Sequence, residues 1–322
     1  MSEKVIAVVV TYNRKKLLLE CLEAILNQSY SVSKIILINN ASTDGTEEEL
    51  QKRGLLDNKI IQYERMDKNL GGAGGFYEGL KICQNIDCDW VWIMDDDTIP
   101  NEVCLEKLML GKSTIESCGD KNKSEFSNKI SFLASAVYGA EGEFMNVPVI
   151  SDRPSVNGYP YWYANLSRGI VNISMATFVS ILVNKHAINQ CGLPCKDYFI
   201  WGDDSEYTRR LTTFYGDAYF IGDSIAVHKR IGAKSLSIDN EENMNRIGMF
   251  HYYYRNNFIN EKYYKSNKYI SFFKFLYGNV KALRYRGTKI NRCRRKAILK
   301  GYWEGLTQYK KFAKYIDEQL KK

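Results

Sequence analysis

The first hundred residues alternate between short apolar runs and segments with apolar residues at helical spacing. Val5–Val10 and Ile35–Ile38 are continuous aliphatic runs, which are typical of parallel strands buried on both faces. Ile60–Tyr63 and Trp90–Met94 are predicted as two further strands. The β-α-β order predicts an α/β protein with a Rossmann-like, mostly parallel sheet flanked by helices.

Three helices are expected between these strands. The first follows Asn13, which we interpret as its N-cap, and runs through Leu26. The second opens after residues 43–46, and a glycine-rich turn at Gly71–Gly75 leads into the third. Ligands bind beyond the carboxyl ends of strands in such sheets. Three polar clusters should meet at that rim: Thr11-Tyr12-Asn13-Arg14, Asn39-Asn40 and Asp95-Asp96-Asp97.

The remainder of the chain is less regular. Residues 110–130 are polar and predict a surface excursion, and Ile130–Tyr138 predicts a strand. Tyr159–Trp162 is aromatic and punctuated by Pro and Gly, which indicates a loop over the site. From Asn243 onward the pattern is helical and basic, and it ends in a long amphipathic helix.

The composition of the chain indicates which partners its charge favours and which cellular compartment is expected. The net charge is +8, and residues 281–300 hold nine Lys or Arg and no acid, so this block attracts anions unless it is only a solvated helix face. Because the sequence has no nucleic-acid-binding motif, nucleic acid is not expected as a partner.

The cysteines and the apolar runs bear on metal binding and compartment. The eight cysteines lack the CxxC spacing of zinc sites, which disfavours a zinc site. No leader or long apolar run is evident, so we expect a cytoplasmic protein without a membrane span.

Three adjacent aspartates end the fourth strand. Asp95, Asp96 and Asp97 repel one another when ionised, which costs stability unless a partner relieves it. A hard cation such as Mn²⁺ or Mg²⁺ relieves it, and Asp95 and Asp97 can bind the ion together with phosphate oxygens. An acidic turn that caps a helix after Pro100 is the alternative. A phosphatase with a DxDx(T/V) motif is disfavoured, because Ile99 occupies the last position.

A second polar cluster follows the aromatic run Tyr198–Ile200. Trp201 precedes Asp203 and Asp204 at the start of a predicted helix, where a carboxylate can act as general base near a sugar hydroxyl. Asp203 would serve equally well as the N-cap of that helix. His228 follows another apolar strand, where a histidine is usually a satisfied core or turn residue.

The glycine run Gly71–Gly75 does not fit the GxGxxG fingerprint, since Tyr77 occupies the last glycine position. Its glycines still permit a ligand to approach the backbone at a helix N-terminus. A flexible turn is the alternative.

Together these residues resemble glycosyltransferase family 2, whose members have the GT-A fold. The resemblance covers about residues 4–260. Within the family, the sequence looks like the galactofuranosyltransferase and rhamnosyltransferase-like branch. The segments that carry it are Thr11–Arg14, Asn39–Thr46, Asn69–Phe76, Met94–Asp97, Trp201–Arg209 and His228. It implies a GT-A catalytic domain over residues 1–240, with a nucleotide-sugar half to about 110 and an acceptor half over about 130–240. A helical, basic C-terminal region over 241–322 follows.

The resemblance also implies roles for individual residues. Asp95, Asp97 and His228 would hold the metal, Asp204 would be the catalytic base, and Asp203 would support it. The implied nucleotide-binding residues are Thr11, Tyr12, Asn13, Arg14, Asn39, Asp44, Asn69 and Asp96. The implied donor and acceptor pocket comprises Gly71, Gly72, Gly74, Gly75, Trp162 and Trp201. Asn39 stands where many family members have Asp, so the nucleoside of the donor can be either uridine or thymidine.

The implied reaction is inverting and metal-dependent, with Mn²⁺ or Mg²⁺ as cofactor. It moves galactofuranose from UDP-galactofuranose to a glycan or polyprenyl-diphosphate-linked acceptor in cell-surface polysaccharide synthesis. A dTDP-rhamnose-dependent rhamnosyltransferase and a nucleotide-sugar-binding module without catalysis are the alternatives. The basic C-terminal helices are expected to contact the inner face of the membrane, pack on the catalytic domain or form a homo-oligomer.

Overall fold

A computed structural model describes residues 3–118, 128–230, 236–265, 273, 276–278 and 280–321. Eleven strands in this part of the chain form a single sheet, and helices pack on both of its faces. The α/β class expected from the sequence is confirmed.

The first half of the sheet is parallel. Its strands follow the apolar runs in the sequence, and their spatial order is β3-β2-β1-β4. The strands are β1 (Val5–Thr11), β2 (Lys34–Asn39), β3 (Ile61–Arg65) and β4 (Trp90–Asp95). The helices between them are α1 (Lys15–Leu26), α2 (Thr46–Lys52) and α3 (Gly71–Gln84). The four strands and three helices predicted from periodicity are therefore confirmed.

The second half of the sheet is mixed. Its strands are β5 (Thr98–Pro100), β6 (Ile130–Tyr138), β7 (Phe144–Met145), β8 (Val149–Ile150), β9 (Ile170–Met175), β10 (Ile181–Asn184) and β11 (Asp217–His228). The order continues from β4 as β10-β6-β11-β9-β8, with β5 paired to β11 and β7 to β6. Strands β6 and β11 are parallel, whereas β10 is antiparallel to both of its neighbours.

The remaining helices are α4 (Cys104–Ser117), α5 (Lys185–Cys191), α6 (Asp203–Phe214), α7 (Met244–Tyr264) and α8 (Lys289–Gln319). The surface excursion predicted for 110–130 is wrong for its first part. Residues 110–117 end α4, where Ile115 is buried against the sheet, and 119–127 lie outside the described residues. The long C-terminal helix is confirmed as α8. Among the described residues, no helix combines the length and apolar character needed to cross a bilayer.

Alternate residues of β1 build two cores. Ala7 and Val9 face the core beneath α1 and α4, whereas Val8 and Val10 face the core beneath α3 and α5. This two-sided burial explains why the strand is a continuous apolar run. A third core joins α7 to α8, with Phe250 of α7 and Ile298 of α8 among its buried residues.

Two local predictions near the rim are wrong. The N-cap residue of α1 is Arg14, while Asn13 has φ of +54° and accepts a hydrogen bond from the Thr43 amide at 2.7 Å. The glycine run is the first turn of α3 rather than a turn before it. At Gly75 an added Cβ would lie 2.4 Å from Val10 Cγ1, so the missing side chain lets α3 approach β1.

The loop at Tyr159–Trp162 is also placed differently from the prediction. The Tyr161 hydroxyl donates to Asp217 Oδ2 at 2.7 Å, and the Trp162 carbonyl accepts from the Asn172 amide at 3.0 Å. Asp217 begins β11, whereas His228 ends it. The loop therefore lies at the opposite end of β11 from the predicted site.

Candidate active site

A cleft of about 390 Å³ lies at the carboxyl ends of β1, β4 and β11, beside the start of α6. The rim predicted from strand order is thus where the structure brings the polar clusters together. The predicted site residues that line the cleft are Arg14, Gly72, Asp95, Asp97, Trp201, Asp203, Asp204 and His228. Lining residues that sequence reasoning missed include Phe76, Asn146, Thr177, Arg230, Arg246 and Asn257.

Asp95, Asp97 and His228 form a candidate metal centre. Each offers one ligand atom, and these atoms lie within 4.8 Å of one another. His228 Nε2 is 3.0 Å from Asp97 Oδ1. Two carboxylate oxygens and an imidazole nitrogen at the end of buried strands are a donor set that suits Mn²⁺ and tolerates Mg²⁺. The residues therefore fit the divalent cation that the sequence led us to expect.

The electrostatics of this centre favour a cation. Burial, together with repulsion from Asp97 and Asp96, raises the pKa of Asp95 well above its ordinary value. Burial also opposes ionisation of Asp97, but His228 and Arg14 outweigh it and lower the pKa of that carboxyl. An added positive charge would stabilise both carboxylates.

Asn146 holds the imidazole of His228. Its Oδ1 is 2.8 Å from His228 Nδ1, and its Nδ2 donates to Thr177 Oγ1 at 2.9 Å. Asn146 thus contacts Nδ1, and Nε2 faces Asp97 at 3.0 Å. Asn146 has φ of +50° in the short link after β7. Neither its role nor this turn was visible in the sequence, because its partner lies on β11.

Asp96 turns away from the cleft. It is buried, accepts from Thr11 Oγ1 at 2.7 Å, and lies 3.2 Å from Arg14 Nη1. Burial raises its pKa to about 6, although Arg14 opposes the shift. Arg14 also contacts Asp97 Oδ2 at 2.6 Å. Its carboxylate thus ties β1 to β4, and the nucleotide contact that the resemblance implied for Asp96 stays a prediction.

The other predicted nucleotide-binding residues mostly support the loops around the cleft. Asn39 is fully buried, donates to the Tyr63 hydroxyl at 2.8 Å and accepts from the Ser42 amide at 2.8 Å. Both ends of its amide thus have a partner within the protein, and the contact of Asn39 with the nucleoside stays a prediction. Asp44 accepts from the Lys15 amide at 3.2 Å. Residues absent from the cleft lining are Thr11, Tyr12, Asn13, Asn39, Asp44, Asn69, Asp96, Gly71, Gly74, Gly75 and Trp162.

The second acidic pair lies on the start of α6. Gly202, with φ of +89°, is the N-cap residue, so the alternative N-cap role of Asp203 is not observed. Asp204 Oδ1 accepts from the Ser205 amide at 2.6 Å. Burial raises the pKa of Asp204, and burial with the charge of Asp204 raises that of Asp203 well above its usual range. A half-buried carboxylate with a raised pKa in a cleft has the properties of a general base.

Two arginines bring positive charge to the cleft. Arg230 follows the end of β11, and burial together with the neighbouring charge of Arg246 lowers its pKa. Arg246, on the first turn of α7, forms an ion pair with Glu241 at 2.8 Å. Guanidinium groups crowded in this way favour an anion between them. The position of Arg230 two residues after His228 was the signal that could have identified it.

Comparison with known proteins decides the family of the amino-terminal part. Residues 6–111 match the model described as glycosyl transferase family 2. The chain therefore contains a family 2 glycosyltransferase domain. The aspartate cluster lies within this family 2 domain, whereas Asp204 and His228 lie beyond the matched residues.

Curated relatives agree with this domain. Galactofuranosyltransferase GlfT1 of Mycolicibacterium smegmatis is 26% identical over 216 residues, which are 65% of this chain and 66% of that protein. Glycosyltransferase GlyG of Streptococcus pneumoniae is 33% identical over 108 residues, 34% of this chain and 35% of that protein. GlfT1 of Mycobacterium tuberculosis is 35% identical over 98 residues, 30% of this chain and 31% of that protein. The match thus spans less than two thirds of each relative.

A solved structure extends the likeness beyond the family 2 domain. The crystal structure of GalNAc-T7 with UDP, GalNAc and Mn²⁺ covers 97% of this chain with a TM-score of 0.60. Sequence identity is 11%, and the match covers 57% of that chain. The likeness shows the fold, which is GT-A.

Proposed function

We propose that this chain is an inverting, metal-dependent glycosyltransferase that moves a sugar from a nucleoside diphosphate to an acceptor hydroxyl. One arrangement supports this activity most directly: Asp95, Asp97 and His228 share a cleft with Asp204. The cation site can hold a diphosphate at one wall of the cleft, while the carboxylate of Asp204 is available to the hydroxyl of an acceptor.

The residues of the cleft can carry out a single displacement. Asp95, Asp97 and His228 would hold Mn²⁺ or Mg²⁺, which neutralises charge on the leaving diphosphate. Asp204 takes the proton of the acceptor hydroxyl as its oxygen attacks the anomeric carbon from the face opposite the diphosphate. The bond from the anomeric carbon to the phosphate oxygen breaks, and its electron pair leaves with the diphosphate. Arg230 is placed to stabilise that anion.

UDP-galactofuranose is the donor that we propose. Two of the relatives are named galactofuranosyltransferase GlfT1, and the structural neighbour contains UDP. A dTDP-rhamnose donor is the alternative, because Asn39 carries no charge and is engaged within the protein. The acceptor that we propose is a hydroxyl of a glycan or a lipid-linked glycan.

A donor screen tests the proposal. Purified protein with Mn²⁺ is incubated with UDP-galactofuranose, UDP-galactopyranose, UDP-glucose or dTDP-rhamnose, and release of the nucleoside diphosphate is measured. We expect turnover only with the galactofuranose donor. Turnover with dTDP-rhamnose alone would select the alternative donor. Tight binding without turnover of any donor, with or without glycan acceptors, would identify a binding module instead.

Asp204→Asn separates catalysis from binding in the same assay. The asparagine keeps the shape of Asp204 but cannot take a proton, so we expect a loss of transfer of at least about 100-fold. Binding of UDP with Mn²⁺ should stay unchanged. Retained turnover would refute the assignment of the base.

We also propose that the C-terminal region contacts an anionic membrane surface. Phe273, the pair Leu276 and Tyr277, Val280 and Leu283 follow one another at intervals of three or four residues. These five side chains expose between 43% and 64% of their surfaces. The basic block of residues 281–300 adjoins this apolar row. Apolar side chains beside basic ones are typical of helices that lie in a lipid headgroup layer. The homo-oligomer and the domain boundary at residue 240 stay predictions.

Vesicle sedimentation tests the membrane contact. Full-length protein should sediment with vesicles that contain phosphatidylglycerol and not with pure phosphatidylcholine. Val280→Asp should weaken sedimentation, whereas Val156→Asp, at an exposed site between β8 and β9, should not. Equal sedimentation of wild type and Val280→Asp would refute this surface.

A further inference from the structure

The residues that lead into Asp204 have an unusual backbone conformation. Within the segment 199–202, which we call the base loop, φ is +66° at Phe199, +61° at Trp201 and +89° at Gly202. Positive φ is rare for bulky side chains and persists only where the surroundings fix it. Contacts that fix the base loop therefore also fix the start of α6, where Asp204 lies.

Asn256, in the middle of α7, supplies such contacts. Its Nδ2 lies 3.0 Å from the carbonyl oxygen of Tyr198, 3.1 Å from that of Ile200 and 2.6 Å from that of Trp201. Its Oδ1 accepts from Arg255 Nε at 2.8 Å, and its side chain is fully buried. Three carbonyls thus share the two hydrogens of one amide, which makes this side chain a central anchor for the base loop.

Asn260 continues the same row one turn later on α7. Its Nδ2 donates to the carbonyl of Gly202 at 2.8 Å, and its Oδ1 accepts from the Tyr198 hydroxyl at 2.7 Å. Residues four apart lie on one face of a helix, so both asparagines meet the base loop together. Their combined contacts cover the loop from Tyr198 to the N-cap of α6.

The opposite side of the base loop rests on α3. The amide of Ala73 donates to the carbonyl of Phe199 at 3.2 Å. A Cβ on Gly71 would lie 2.0 Å from that same oxygen, so no other residue fits at this close approach. The base loop is thus held between the first turn of α3 and the middle of α7.

We infer that Asn256 is a positioning residue, which holds the base loop so that Asp204 faces the acceptor. It does so without lining the cleft, and the inference rests on the proposed function of Asp204 as base. Helix α7, which the sequence placed in a C-terminal extension, then belongs to the catalytic apparatus. A small shift of a reacting group lowers the rate far more than it lowers binding.

Asn256→Asp tests this role, because it keeps the shape of the side chain and removes its N–H donors. We expect kcat for transfer to fall about 100-fold, while the affinity for UDP with Mn²⁺ changes less than about twofold. Asn291→Asp is the matched control, since Asn291 donates to the carbonyl of Arg286 at 3.0 Å near the start of α8. The control should keep wild-type kcat.

Two further measurements keep the test independent of folding defects. Asn256→Ser retains one hydroxyl donor and should recover part of kcat. In an Asp204→Asn background, Asn256→Asp should lower the residual rate no further, because the base is already absent. A parallel fall in kcat and UDP affinity, or a further fall in the double variant, would overturn the inference.

Hydrogen exchange separates failure of this inference from failure of the proposed function. Amides of residues 198–204 should exchange faster in Asn256→Asp than in wild type. If wild-type protein turns over no donor, the proposed function fails, yet the exchange result still reports on the anchor. Wild-type turnover with unchanged exchange and kcat in Asn256→Asp would refute the positioning role alone.

Discussion

His228 Nδ1 lies 2.8 Å from Asn146 Oδ1, and this contact fixes which nitrogen of the ring faces Asp97. The partner amide is fixed in turn by Thr177. Hydrogen bonds of this kind orient the histidine ligands of metal sites and maintain their affinity.

Asn146→Ala should therefore weaken binding of Mn²⁺ by about 10- to 100-fold. Isothermal titration of the protein with Mn²⁺, without donor, measures the effect directly. Asn157→Ala, at an exposed site in another loop, should bind Mn²⁺ like wild type. Unchanged affinity in Asn146→Ala would show that His228 does not depend on this contact.

Arg230→Gln should reduce the affinity for UDP by about tenfold, which is the scale of one charge-assisted contact to phosphate. Because the proposed contact is with the diphosphate, affinity for uridine should not change. Titrations with UDP and uridine in the presence of Mn²⁺ make the comparison. Lys229→Gln is the control, since Lys229 pairs with Glu20 at 2.5 Å. An equal loss for UDP and uridine would contradict the role of Arg230.

The sequence was sufficient for features that depend on neighbouring residues. The parallel strands were predictable because their residues are buried on both faces, and Asp95 and Asp97 because they follow such a strand directly. His228 was expected to be a metal ligand only because of the family resemblance, since an isolated histidine after a strand has several ordinary roles. The structure then placed it 3.0 Å from Asp97.

Features that depend on distant residues were not predictable. Asn146 reaches His228 across 82 positions of sequence, and Asn256 reaches Trp201 across 55. No local sequence pattern around an asparagine in a turn or helix predicts such a distant hydrogen-bond partner. Asn39 was expected at the nucleoside only through the family resemblance, and its contacts with Tyr63 and Ser42 were not predictable from the sequence.

Asp203→Asn should stabilise the protein at neutral and alkaline pH. Burial raises the folded-state pKa of Asp203 above its unfolded value. The neutral carboxyl of Asp203 therefore contributes fully to stability below the pKa of the unfolded state. This contribution is lost as the pH rises through the pKa of the folded state. We expect a gain of about 1 kcal/mol in the free energy of unfolding at pH 8, and little gain near pH 4. Denaturation at both pH values tests this.

Asp152→Asn is the control for that experiment, because Asp152 is an exposed carboxylate away from the cleft. Its effect on the free energy of unfolding should be small at both pH values. A stability gain of Asp203→Asn that did not grow with pH would contradict the sign assigned to this carboxyl.

The rate of transfer should fall on the acid side at a pH above the ordinary aspartate value of 3.8, because burial raises the pKa of Asp204. A base must be ionised, so activity is lost as pH falls through that raised pKa. The measurement is kcat/KM between pH 4 and 8 with saturating Mn²⁺. The affinity for UDP over the same pH range is the control. If kcat/KM at low pH fell only in parallel with this affinity, the prediction would be contradicted.

Gly75→Ala should destabilise the fold, and Gly72→Ala should not. Both glycines lie in the first turns of α3, but a Cβ at Gly75 would be 2.4 Å from Val10 Cγ1, whereas at Gly72 it would meet nothing within 4 Å. Overpacking costs about 1–3 kcal/mol, while alanine in an open helical position gains up to about 1 kcal/mol. Urea unfolding of both variants tests the difference. Equal effects would mean that α3 can move away from β1, so that Gly75 is not required for packing.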